Sequence, residues 1–322
     1  MRTFSPTLEP ERVPASPSAL LDRIGNTPLL RLERIAADLP AGVELHAKAE
    51  HLNPSGSLKD RPAKAMILAG LAGGQLGPGR SILDATSGNT GIAYAMIGAA
   101  LGLEVTLCLP ANATEERKRI LRIYGARVVE TDAAAGSEGA RARAQELHRA
   151  EPERYFHVDQ YNNDHNWLAH FETTGAEIWA QTRGRVTHFV AGIGTSGLFT
   201  GATRRLKSHQ PSLVAVSVQP DARDHHLDGL KHMASALAPG IYDPALADAD
   251  VAVSSVEGQA MARRLALEEG LLVGPSSGAN LAAALRLART LPAGSVVVTV
   301  LFDSGSRYLG EAFWSAGPGA RP

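Results

Sequence analysis

Cysteine is nearly absent. Cys108 is the only one in 322 residues, which excludes an intrachain disulfide and any cysteine-based metal cluster. It lies in the apolar run Val105-Thr106-Leu107-Cys108-Leu109, where a buried, inert thiol is expected. No stretch reaches the roughly 18 apolar residues of a membrane span. A surplus of one charge is also missing. The 32 Lys+Arg against 33 Asp+Glu leave a net charge of -1, so the chain lacks the basic footprint of a nucleic-acid or membrane-surface binder. The eleven histidines show no HExxH or other ligand spacing, and no metal is assigned. His225-His226 reads as a surface loop pair. The first segment, MRTFSPTLEPERVPASPSAL, carries four prolines and no apolar h-region, so it does not read as a signal peptide. Residues 1–18 are expected to form a flexible arm on a cytoplasmic protein.

Glycine is what the chain has in mild excess: 32 of 322 is about 10%, against a usual level of about 7%. Glycine and proline together remain well below a low-complexity composition, so the extra glycines should occupy particular backbone positions. The length suits two domains with a substantial core. From about residue 43 to 310, short β-rich runs alternate with helical patterns. Strands are expected at Glu44–Ala49, Ile82–Asp84, Val105–Leu109, Arg127–Glu130, Thr187–Ala191, Leu213–Val218 and Val296–Phe302. Helices are expected at Arg61–Gly70, Thr90–Leu101, Thr114–Tyr124, Leu198–Lys207 and Ala279–Arg289. Runs such as Val296-Val297-Val298 are apolar without alternation, as for parallel strands covered on both faces. An α/β protein with mostly parallel sheets follows. The charged segment from Thr114 to Arg119 has a threonine cap, early acids and later bases, and reads as a solvated helix face.

Four loops carry candidate chemistry. Lys59, in Asn53-Pro54-Ser55-Gly56-Ser57-Leu58-Lys59-Asp60-Arg61-Pro62, falls just before a helix whose positive dipole end would lower its pKa, as an attacking amine needs. A surface lysine is the plain alternative. Thr86-Ser87-Gly88-Asn89-Thr90-Gly91 joins a strand to a helix, either as an anion-binding turn or as a simple cap. Gly192-Ile193-Gly194-Thr195-Ser196-Gly197 has the GxGxxG form, weak alone, and with Asp221 could even serve a dehydrogenase binding NAD. Gly274-Pro275-Ser276-Ser277-Gly278 opens a further helix, where a serine cap is the plain reading.

Taken in order, PSGSLKDR, TSGNTG, GIGTSG and GPSSG resemble the cysteine synthase/cystathionine β-synthase family of pyridoxal-phosphate (PLP) enzymes. The likeness runs from Ile24-Gly25-Asn26-Thr27-Pro28-Leu29 to Asp303-Ser304-Gly305-Ser306-Arg307-Tyr308-Leu309. It includes Asp159-Gln160-Tyr161, and Thr173-Thr174-Gly175-Ala176-Glu177-Ile178-Trp179 with Gly229–Met233 resembles the B-type cysteine synthases. The resemblance implies fold type II, like the tryptophan synthase β chain, with two three-layer αβα domains around a PLP cleft. Residues 51–160 would form a smaller, mobile domain and 19–50 plus 161–322 the larger one, usually in a homodimer. It implies that Lys59 holds PLP covalently and acts as base at the substrate Cα, that Asn89 bonds the cofactor 3′-oxygen, and that Gly194, Thr195, Ser196, Gly197 and Leu198 cradle its phosphate. Ser276 would face the pyridine nitrogen as a neutral partner. Thr86, Ser87, Thr90 and Gln160 would hold the substrate carboxylate. The implied reaction is β-replacement on O-acetyl- or O-phospho-L-serine with sulfide or another sulfur donor, giving L-cysteine. Cystathionine β-synthase and diaminopropionate synthase chemistry are the alternatives. A sulfur-carrier protein or a serine acetyltransferase as partner is left open. Arg223, His225, His226 and Lys231 lie in a segment that could supply a cation to a phosphate leaving group. Three positions depart from the pattern: Leu198 where threonine is common, which removes a hydroxyl donor, Ser306 where an acid is common, and Ala176 where proline is frequent.

Overall fold

Residues 18–86 and 88–315 are described in the computed structural model. The expected arm therefore lies outside the described residues except for Ser18, as does Ser87. In chain order the strands are β1 (Leu29–Arg31), β2 (Glu44–Ala49), β3 (Ser81–Ala85), β4 (Val105–Pro110), β5 (Arg127–Thr131), β6 (Tyr155–His157), β7 (His188–Gly192), β8 (Val214–Pro220), β9 (Ala249–Val253) and β10 (Val296–Leu301). The helices are α1 (Asp60–Ala72), α2 (Asn89–Leu101), α3 (Glu115–Ile123), α4 (Gly136–Ala150), α5 (Asp164–Ala169), α6 (Gly175–Gln181), α7 (Gly197–His209), α8 (Ser255–Arg264) and α9 (Pro275–Ala288).

The strands form two sheets, a six-stranded one of order β1-β2-β10-β7-β8-β9 and a four-stranded one of order β5-β4-β3-β6. Every pairing is parallel except β1 with β2. The unalternating sequences explain this: every residue of β3 and of β10 is buried, so both faces must be covered by helices. Three buried clusters result among the described residues. One packs Phe189, Val298, Phe199 and Leu285 about the six-stranded sheet; the other two lie on the four-stranded sheet, one with Ile67, Ile82, Tyr94 and Ile97 and a smaller one with Leu83, Cys108, Ala144 and Tyr155. Cys108 is fully buried in β4, and burial pushes its thiol up to about 11, as an inert core thiol should be.

Helices enter from the carboxyl ends of strands, so the loops after β2, β3, β7 and β10 open on a common side, where ligands sit in open α/β folds. Thr114 caps α3 as expected, its hydroxyl accepting the Arg117 N–H at 3.4 Å. The solvated-face reading of that helix needs correction at two places. Lys118 is buried, its Nζ donating to Ala111 O at 2.7 Å, and Arg117 turns toward the cleft.

Candidate active site

A cavity of about 290 Å³ lies between the two sheets, near the lower end of the range for small-molecule sites. All four loops reach it: Lys59 from the first, Thr86, Gly88, Asn89 and Thr90 from the second, Gly194 to Leu198 from the third, and Ser276 from the fourth. Gln160 and Tyr161 complete the wall.

Lys59 is the residue immediately before α1, as its sequence context implied. Its pKa is lowered from the ordinary 10.5 to about 8. Burial is the main cause, with Asp303 opposing it, so desolvation rather than the helix dipole carries the effect. Asp303 follows β10 and is itself buried, and burial pushes its carboxyl up while Tyr308 and Asn89 bond to it. The Tyr308 hydroxyl donates to Asp303 Oδ2 at 2.7 Å and the Asn89 amide donates to the same oxygen at 2.7 Å. Arg307 donates to the Asn89 carbonyl oxygen and to Ser55 O, so the orientation of the Asn89 amide is fixed on both sides.

The third loop is built to hold an anion. Ser196 adopts φ +69 just ahead of α7, a left-handed conformation unusual for a residue with a side chain. The N–H groups of the first turn of α7 have no intrahelical acceptor and point into the cavity end of the helix. Side chains are excluded here: a Cβ at Gly194 would strike Gly229 O, and one at Gly197 would strike Asn166 Oδ1. The Ser196 hydroxyl is buried with no hydrogen-bond partner among the described residues. A helix terminus, free N–H groups and an unpaired buried hydroxyl together fit the phosphate of PLP, and Lys59 fits its aldehyde. Leu198, at the position where a hydroxyl donor was missed in the sequence, is buried in the core of the six-stranded unit, leaving its backbone N–H to that end of the helix.

Across the cavity, the Thr90 hydroxyl donates to Gln160 Oε1 at 2.9 Å, and Thr86 Oγ1 accepts the Gly88 N–H at 3.3 Å. Below them lies a buried acid that the sequence reading did not single out. Asp84 accepts the Ala85 N–H at 2.8 Å, the Tyr94 hydroxyl at 2.9 Å and the Gln160 N–H at 3.3 Å. Burial pushes its carboxyl up to about 7. The rim is cationic. Of the four proposed cations only Lys231 lines the cavity; Arg223 and His226 are exposed and His225 is half-buried. Arg141 joins Lys231, its guanidinium 4.6 Å from the Tyr161 ring centre, with the Lys231 ammonium 5.1 Å from the same ring. Arg117 pairs with Asp228 at 2.5 Å, tying α3 to the loop that carries Lys231. Asp303 could have been flagged in the sequence as an acid directly after an apolar strand; Arg117, Arg141 and Asp228 carried no such signal. Asp221, on which a dinucleotide reading depended, is exposed and does not line the cavity.

Residues 20–303 match the family described as pyridoxal-phosphate dependent enzyme. A cysteine synthase of Aquifex aeolicus is 48% identical over 300 residues, 92% of each chain. A cysteine synthase B of Salmonella typhimurium is 40% identical over 307 residues, covering 94% of this chain and 99% of its own. Among solved structures, O-acetyl serine sulfhydrylase isoform 3 from Entamoeba histolytica superposes with a TM-score of 0.89 at 30% identity, over 100% of this chain and 96% of that one.

Proposed function

The chain belongs to the pyridoxal-phosphate-dependent enzymes, within the cysteine synthase family, and from that premise we propose how its own residues carry the reaction. The activity is PLP-dependent cysteine synthesis by β-replacement. One observation carries the assignment of roles: Lys59, with its pKa lowered to about 8 by burial, sits in the cavity that also contains the anion-binding start of α7.

In this reading Lys59 is the attachment point, and Gly194, Thr195, Ser196, Gly197 and the Leu198 N–H hold the phosphate. When bound, PLP supplies the electron sink for the negative charge left at the substrate Cα. Asn89 donates its amide N–H to the cofactor oxygen, held in orientation by Arg307. Ser276, at the start of α9, offers a neutral hydroxyl to the ring nitrogen. Thr86, Ser87, Thr90 and Gln160 bind the substrate carboxylate through hydroxyl, amide and helix-terminal N–H groups. Lys59 Nζ takes the proton from the substrate Cα and later returns it there, for which a neutral amine near pH 8 is suited. The unit containing the four-stranded sheet closes over the substrate and excludes water, with Arg117 and Asp228 meeting at its edge. A homodimer and a cytoplasmic setting belong to the same reading; no helix among the described residues is long and apolar enough to cross a membrane.

The rim bears on the leaving group. Lys231 has no ion-pair partner among the described residues and stands beside Arg141, which supports O-phospho-L-serine or an anionic sulfur donor. The test is steady-state turnover of O-phospho-L-serine, O-acetyl-L-serine and L-serine, each with sulfide and with homocysteine. Lys231→Met should raise KM for O-phospho-L-serine about tenfold and leave that for O-acetyl-L-serine little changed. An equal effect on both refutes the anion-binding role, and fastest turnover of L-serine with homocysteine replaces the reading with cystathionine synthesis.

A further inference from the structure

Asn166 lies on α5, away from the four loops, yet its side chain bonds both Gln160 of the carboxylate wall and Thr195 of the phosphate loop. It is buried, at 2% exposure. One amide N–H donates to the backbone carbonyl of Gln160 at 2.6 Å, and its Nδ2 also donates to Thr195 Oγ1 at 3.2 Å. Its carbonyl oxygen is buried without a partner among the described residues, and it lies where a side chain on Gly197 would have to go. Thr195 and Gly197 belong to the phosphate loop, and Gln160 to the substrate-carboxylate wall.

Gln160 itself is held on every side. Its N–H donates to Asp84 and its side-chain amide N–H to Ala85 O at 3.4 Å, while its Oε1 accepts from Thr90. The remaining backbone group, the carbonyl, is held by Asn166 alone. A displacement of Thr195 or of the start of α7 therefore reaches Gln160 through one amide group. The path is short and wholly buried, so solvent cannot replace its bonds without opening the core.

We propose that Asn166 is a positioning residue that couples the phosphate loop to the substrate-carboxylate site. Occupation of the loop then sets the place of Gln160, and a carboxylate bound at Gln160 is felt at the phosphate. The Asn166 carbonyl faces Gly197, so both ends of the amide meet the phosphate loop while its Nδ2 also holds Gln160. This inference rests on the assignment of Gln160 to the carboxylate and of Gly194 to Leu198 to the phosphate.

The experiment is phosphorus NMR of the holoenzyme, with and without saturating L-serine without a sulfur donor, together with kinetics. In the wild type the cofactor phosphate resonance should move on ligand binding. In Asn166→Ala the movement should be lost, and KM for the amino-acid substrate should rise about tenfold with a smaller change in kcat. Asn166→Asp keeps the shape but replaces the donor, and should behave alike if Asn166→Ala folds poorly. An unchanged shift and KM in a folded variant overturns the proposal, as does an equal loss of kcat with no effect on KM or on the shift. Gln160→Ala separates the two layers: if it leaves KM unchanged, the carboxylate assignment itself is wrong, whatever Asn166 does.

Discussion

Raising the pH through 8 should convert Lys59 into a nucleophile well before an ordinary lysine responds. Its pKa is about 8 because burial disfavours the ammonium more than Asp303 favours it. At pH 7 a group of pKa 8 is about 9% neutral, whereas a free lysine side chain is about 0.03% neutral, a difference of roughly 300-fold in reactive amine. Competitive acetylation of the apoprotein with trace acetic anhydride, read by mass spectrometry against Nα-acetyl-lysine, measures this directly. The Lys59 peptide should reach half its limiting rate near pH 8. Asp303→Asn removes the charge that holds the proton, so the midpoint should move down. The same shift has a stability sign. The unfolded chain binds this proton more tightly than the folded one, so the penalty is fully present below pH 8 and disappears as pH rises toward 10.5. From 10.5 to about 8, at about 1.36 kcal/mol per pH unit, it amounts to at most about 3 kcal/mol. That figure is an upper bound, because Lys59 stays partly open to the cleft and solvent screens its charge. Lys59→Met should therefore stabilise the apoprotein in thermal melts at pH 7, and the gain should shrink above pH 8. A midpoint above 10, or a midpoint raised by Asp303→Asn, would refute the reasoning.

Gly194→Ala should weaken PLP binding about a hundredfold or more, measured by equilibrium titration, because the new Cβ meets Gly229 O at the phosphate loop. Asp84 works in the opposite direction from Lys59. Its carboxyl, raised to about 7, destabilises the fold progressively as pH rises from about 4 to 7, so Asp84→Asn should flatten the melting temperature across that range; an unchanged pH profile counts against it. Arg117→Glu should lower kcat/KM by repelling Asp228 across the cleft edge, and the exchange Arg117→Asp with Asp228→Arg should restore most of it. Failure of the exchange would mean that the pair does not act as a closure contact.

The long apolar strands and the helix starts were legible because burial on both faces leaves an unbroken hydrophobic signature. The run Glu44–Ala49 matches β2 to the residue, and Val296–Phe302 exceeds β10 by one. The missed strands lack that signature: β1 and β6 have three residues each, and β9 is an exposed edge strand with only Val253 fully buried. Helices α4 and α8 were passed over because their charged residues outweigh a thin buried stripe, Ala140 and Ala144 in one case and Gly258 and Ala262 in the other. Within the site, Lys59 and the phosphate loop were readable because backbone demands put glycine and short polar residues at fixed spacing. Asp84, Asn166, Arg117 and Arg141 were not, since their relevance comes from contacts across large sequence separations, such as Arg117 with Asp228.

Reduction of the holoenzyme with borohydride, followed by peptide mapping, tests the central assignment most directly. A cofactor-derived mass on the peptide containing Lys59, and on no other lysine, is the expected result. A label on a different lysine, or a protein that binds PLP and yields no label at all, would contradict it.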